Sequence, residues 1–106
     1  MGKLNKIIKK NAGKSFGVTS KLEVIYYNET YVSCSNRDLI YLNLPNSTYV
    51  WCHSNNLTEL NCPKAKYVYC YNNNLTELNC PNARYVSCDK LFIGTHNAKN
   101  ILIKIK

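Results

Sequence analysis

The chain has 106 residues, 45% of them hydrophobic and 11% aromatic, and a formal net charge of +8. That length gives one domain with one continuous core, and the composition excludes a disordered chain. No apolar run approaches a bilayer crossing, and Met1 to Lys14 holds no uninterrupted apolar segment, so the chain reads as soluble, without a signal peptide, and cytoplasmic.

Residues 1–30 carry six lysines against Glu23 and Glu29. Leu4, Ile7 and Ile8 share a helical spacing, with Asn11 and Gly13 as a stop, which predicts a short capping helix. A strand pair involving Val24, Ile25 and Tyr26 is an equal reading of the same segment. Either form would make a divergent cap over the apolar end of the first coil. Gly13-Lys14-Ser15 matches the end of a phosphate-binding loop, but Ile8 stands where that loop needs its first glycine.

From Tyr31 onward the chain repeats. Asn55 to Pro63 recurs without one change at Asn73 to Pro81, 18 residues later. The same period carries Tyr-Val at Tyr31, Tyr49, Tyr67 and Tyr85, and cysteine at Cys34, Cys52, Cys70 and Cys88. A fixed period of this length is the mark of a solenoid, each repeat forming one coil stacked on the last. Four repeats on this 18-residue period follow, at 31–48, 49–66, 67–84 and 85–98, the last cut short at 14 residues, with a closing strand over 99–106. In the closing strand Ile101, Ile103 and Ile105 are expected inward.

Within a coil, Val68 and Cys70 alternate with Tyr67, Tyr69 and Tyr71, the pattern of a short strand with one face buried. The inward set of the coils is expected to be Val32, Cys34, Leu39, Leu42, Leu44; then Ser47, Val50, Cys52, Asn55, Leu57, Leu60, Cys62; then Ala65, Val68, Cys70, Asn73, Leu75, Leu78, Cys80. The last coil adds Ala83, Val86, Cys88, Leu91 and Ile93. An inward asparagine after the strand can bond backbone groups that the turn leaves unpaired.

These positions fit L-x-x-L-x-L-x-x-N-x-L, so the chain resembles the leucine-rich repeat family, closest to the short coils of bacterial effectors and of giant DNA viruses of amoebae. The resemblance spans about residues 31 to 98. Arg37 and Leu91 replace the repeat asparagine in the outer coils, and cysteine takes several leucine places. It implies a right-handed, mainly β solenoid with a short parallel sheet on the concave face. Eighteen residues leave room on the convex face for extended or single-turn structure and little or no helix. It also implies a viral protein of the host cytoplasm or of the virion.

The chemistry of catalysis is not apparent. The six cysteines fall in two inward columns where they act as small hydrophobes, and no zinc spacing occurs, so neither a metal nor a cofactor is expected. His53 follows Cys52 but points to the opposite face, and His96 takes the place of Leu60 and Leu78 and should be partly buried. Four sequons, at Asn28, Asn46, Asn56 and Asn74, arise mostly from the repeat itself.

The outward ladder is more informative. Tyr49, Trp51, His53, Tyr67, Tyr69, Tyr71 and Tyr85 are expected to form an aromatic partner-binding face, because tyrosine and tryptophan are enriched where proteins bind. Serine at Ser33 and Ser87 in the outer coils implies that the sheet tolerates serine at the Trp51 and Tyr69 places. The reading is a non-catalytic protein–protein interaction module with an unidentified partner, a host protein in the viral setting. Two rivals are a virion component that self-associates and a nucleic-acid or acidic-membrane binder using the lysine-rich N-terminus. The charge speaks against the last. Residues 31–98 hold five basic and four acidic side chains, and the remaining three lysines lie in 99–106, where end strands need charge to resist edge pairing.

Overall fold

Each coil supplies two short strands, joined in the coils described throughout by two turns, because two runs of alternating residues are separated by Asn-rich and Pro-containing breaks. The computed structural model describes residues 2–28, 30–89, 95–98 and 101–104. An N-terminal helix α1 (Gly2–Lys10) precedes a hairpin of β1 (Phe16–Thr19) and β2 (Val24–Tyr26). The coils supply β3 (Tyr31–Ser33), β4 (Leu39–Asn43), β5 (Tyr49–Trp51), β6 (Glu59–Asn61), β7 (Tyr67–Tyr69), β8 (Glu77–Asn79), β9 (Tyr85–Asp89) and β10 (Thr95–His96). β11 (Ile101–Lys104) follows. The chain is thus a mainly β solenoid with one short helix among the described residues.

Two sheets result. The first strands of the coils pair in parallel in the order β11-β9-β7-β5-β3, and the second strands in the order β10-β8-β6-β4, continued by β1 and β2. The sequence reading gave one sheet and expected extended or single-turn structure over Leu-Thr-Glu-Leu-Asn; the segment is extended and its strands pair as a sheet of their own. The second sheet forms because an extended segment repeated at fixed register satisfies its backbone on the coil before it. Thr58 N–H donates to Ile40 O at 3.0 Å and Thr76 N–H to Thr58 O at 2.8 Å, with each threonine hydroxyl on the same carbonyl.

The core lies between the sheets, in columns 18 residues apart in sequence: the valines Val32 to Val86, the cysteines Cys34 to Cys88, Leu39-Leu57-Leu75, Leu42-Leu60-Leu78 and Leu44-Cys62-Cys80. All the expected inward residues of the described coils are buried except Asn73, which is half-buried. Leu91 and Ile93 lie outside the described residues, as do the side chains of Ile101, Ile103 and Ile105. β11 pairs in parallel with β9, Ile101 opposite Val86.

The turn after each first strand is built the same way three times. Asn36, Ser54 and Asn72 take left-handed φ of 60°, 60° and 58°. The next residue in two coils, Asn55 and Asn73, turns inward. Asn55 Oδ1 accepts from Arg37 N–H at 2.8 Å and Leu39 N–H at 3.1 Å, while its Nδ2 donates to Cys34 O and Cys52 O, both at 3.0 Å. Asn73 likewise accepts from Leu57 N–H and donates to Cys52 O and Cys70 O, each at 3.0 Å. One amide therefore staples two successive coils.

The N-terminal segment adopts both of the alternatives read from its sequence. Gly13, at φ 82°, ends the helical segment, with Lys14 N–H donating to Asn11 O at 3.0 Å. The cap does more than close the core end. Leu4, Ile7 and Ile8 of α1 pack on a second cluster of Phe16, Val18 and Tyr41 on the outer side of the second sheet. Among the described residues of the cap, Ile25 and Tyr27 join the main core. Gly17 makes the fit: a Cβ there would stand 2.9 Å from Leu39 Cδ2 and 3.2 Å from Leu42 Cδ1.

Candidate functional site

Strand alternation places Tyr49 and Trp51, Tyr67 and Tyr69, and Tyr85 on the outer face of the five-stranded sheet, with Val50, Val68 and Val86 beneath. Parallel register sets Tyr31 beside Tyr49, Tyr49 beside Tyr67, and Trp51 beside Tyr69. The rings stack. Centroids are 5.8 Å apart for Tyr31–Tyr49, 4.9 Å for Tyr49–Tyr67 and 5.1 Å for Trp51–Tyr69, with interplanar angles of 22°, 15° and 23°. Two tilted pairs, Tyr31–Trp51 at 4.9 Å and Tyr69–Tyr85 at 5.2 Å, tie the columns together. His53 and Tyr71 form a third column at 4.6 Å and 4°, and His53 Nδ1 lies 3.0 Å from Ser54 Oγ.

Of the seven residues named from sequence, Tyr49, Trp51, Tyr67, Tyr69 and Tyr85 are thus linked ring to ring together with Tyr31, and His53 and Tyr71 are paired with each other. They are less exposed than the sequence implied. Tyr31 and Tyr49 are 51% and 40% exposed, whereas Trp51, His53, Tyr67, Tyr69, Tyr71 and Tyr85 are half-buried. Stacking spends ring faces on neighbouring rings, so the surface presents mainly edges and polar tips. Burial, then the neighbouring Tyr85 and Tyr67, raises the Tyr69 pKa above that of an ordinary phenol.

The serine analogy also changes. Ser33 is exposed, but Ser87 is only 1% exposed, and its Oγ has no hydrogen-bond partner among the described residues. The outward position at Ser87 is closed to solvent whereas that at Ser33 is open, so serine in an outer coil does not show that serine suits the central ones. Removing Trp51 and Tyr69 would break three ring contacts.

The thiols are free and buried. Burial pushes Cys34 up to about 12 and raises Cys52 and Cys70 well above the ordinary thiol value. A Cys62–Cys80 hydrogen bond raises Cys62 and lowers Cys80. His53 and Cys52 lie on opposite sides of the sheet, as alternation requires, with Cys52 fully buried. His96 departs from expectation: it is in register with Leu78 yet exposed, because β10 is the last strand of its sheet.

An asparagine ladder on the second sheet went unread. Asn43, Asn61, Asn79 and Asn97 recur every 18 residues. Asn61 Nδ2 donates to Asn43 Oδ1 at 2.5 Å, Asn79 to Asn61 and Asn97 to Asn79. Asn43 closes the row on Lys14 O at 2.9 Å. The signal was visible in the repeat, but asparagine on an outward face reads as a solvated residue. Beside it Glu59 and Glu77 stand in register, and an open cleft of about 300 Å³ is lined by them with Asn61, Asn79, His96 and Asn97. Burial and the Glu77 charge raise the Glu59 pKa.

No helix among the described residues is long and apolar enough to cross a membrane, and no cluster of metal-ligating side chains occurs among them. No protein-family model, curated protein or solved structure matches the chain.

Proposed function

We propose that this solenoid is of the leucine-rich repeat type and is a non-catalytic interaction module whose partner is a protein held by the aromatic face. One observation carries the reading. Six side chains from four coils, Tyr31, Tyr49, Trp51, Tyr67, Tyr69 and Tyr85, are linked ring to ring with two tyrosines 40% or more exposed, and contiguous aromatic surface of this kind usually marks an interface. The inward asparagines and the parallel first strands support the repeat assignment. A viral setting in the host cytoplasm or the virion stays with the resemblance to giant-virus coils. Affinity capture from amoeba lysate tests the function. Trp51→Ser combined with Tyr69→Ser should lose the principal partner while circular dichroism shows the fold retained. Capture unchanged by the double variant would place the surface elsewhere.

The rival basic-surface reading has one observation in its favour: Lys3, Lys6, Lys9 and Lys10 are all exposed on α1. Its apolar stripe, however, is spent on Phe16, Val18 and Tyr41, so a membrane would meet lysines alone. Binding to DNA or anionic vesicles that falls steeply with salt would favour it.

A further inference from the structure

The two sheets end differently on the N-terminal side. The second sheet is continued past β4 by the antiparallel hairpin, whereas the first stops at β3. In a parallel sheet, alternate residues turn their N–H and C=O to opposite sides. Thr30 O accepts from Thr48 N–H at 2.7 Å, and Cys34 N–H donates to Trp51 O at 2.8 Å. Thr30, Val32 and Cys34 therefore face β5, and the backbone groups of Tyr31 and Ser33 face outward. No strand among the described residues pairs with them. Sheet edges are commonly guarded by lysine or proline, yet Thr30 to Asn36 contains neither a charge nor a proline. Tyr31, at the same end, is the most exposed member of the stacked column.

We propose that the β3 edge is a strand-addition site for an extended polypeptide segment bearing an aromatic side chain. The segment's backbone bonds Tyr31 and Ser33, and its ring continues the column beyond Tyr31, as Tyr31 continues it beyond Tyr49. The occupant is a lone strand rather than a second copy of this solenoid, because a stacking coil needs both sheet ends. The hairpin occupies the end of the second sheet, and Ile25 and Tyr27 pack against the core there. Main-chain pairing is independent of the aromatic-face reading; the choice of an aromatic side chain rests on it.

The probe is a fluorescent peptide copying residues 65–71 with Cys70 replaced by serine, the segment that pairs with such a strand inside the protein. Its anisotropy is titrated with the full chain. Saturable binding is expected, weakened about tenfold or more by Ser33→Pro, which removes an outward N–H and leaves the bonds to β5 in place. The same peptide N-methylated at alternate amides should lose binding to the unaltered protein to a similar degree, which needs no variant to fold. No binding by the unmodified peptide overturns the proposal. So does equal binding of the methylated peptide, and if Trp51→Ser then abolishes that binding, the aromatic-face reading survives alone. A concentration-dependent dimer in light scattering that Ser33→Pro dissolves would assign the edge to a second copy and overturn the peptide assignment.

Discussion

Asn73→Ala removes one amide that serves two coils. Its Oδ1 accepts from Leu57 N–H, and its Nδ2 donates to Cys52 O and Cys70 O, all at 3.0 Å. Alanine leaves one backbone donor and two acceptors without this partner. Each costs about 1–3 kcal/mol if it stays buried and unpaired. Asn73 is half-buried, so water recovers part of the loss, and about 3 kcal/mol is expected in all. The neighbouring Asn72 supplies the control. It is exposed, but its φ of 58° makes alanine there cost about 1 kcal/mol. Taken at about 4–8 °C per kcal/mol for a domain of this size, the melting temperature should fall by roughly 12–24 °C for Asn73→Ala and 4–8 °C for Asn72→Ala. Urea unfolding followed by the fluorescence of Trp51, the only tryptophan, gives the same comparison as midpoints. Asn73→Asp sharpens it: a carboxylate can still accept from Leu57 N–H but faces two carbonyl oxygens, so it should be at least as damaging at pH 7 and partly recover below about pH 4. Equal midpoints for the Asn72 and Asn73 alanine variants would refute the stapling role.

A thiol reagent should label few cysteines of the native protein quickly and all six after denaturation without reductant; fewer than six would mean disulfides. Because burial raises the folded thiols, with Cys34 pushed up to about 12, unfolded thiols ionise first, and stability should decline as pH rises above about 8.5; an alkaline unfolding profile flat to pH 11 contradicts this. Burial and Glu77 raise the Glu59 pKa, so its contribution is intact below the unfolded value and is lost as pH rises through the folded one. Glu59→Gln should therefore raise the melting temperature at pH 7 and lose that advantage below about pH 4. Ser54→Gly should stabilise by roughly 1 kcal/mol, since Ser54 holds φ at 60° where only glycine is unstrained; an unchanged denaturation midpoint would argue against strain at this turn. Trp51→Ser with Tyr69→Ser should cost about 2–4 kcal/mol, because three ring contacts are each worth roughly 0.5–1.5 kcal/mol; a melting temperature unmoved by the pair would show that the rings do not support the sheet.

The repeat alone determined much of this protein. An 18-residue period cannot place Val, Cys and Leu at fixed offsets without stacking them into columns, so the core, the strand at each Tyr-Val and the inward turn of Asn55 and Asn73 were legible residue by residue. So was the aromatic face, since strand alternation leaves Tyr67 and Tyr69 no choice but to oppose Val68. Other features depended on contacts between coils, which a sequence does not display. Leu-Thr-Glu-Leu-Asn has no strong strand pattern of its own and becomes a second sheet only when Thr58 meets Ile40 O and Thr76 meets Thr58 O. Asn43, Asn61 and Asn79 become a ladder only at parallel register, and Ser87 is buried only in the assembled face. The cap was ambiguous because its helix and hairpin answer to different cores: Leu4, Ile7 and Ile8 to Phe16, Val18 and Tyr41, and Ile25 and Tyr27 to the solenoid interior. Periodicity specifies what each coil repeats; tertiary packing alone decides what happens where the repetition stops, including which sheet edge is covered and which, at β3, has no paired strand among the described residues.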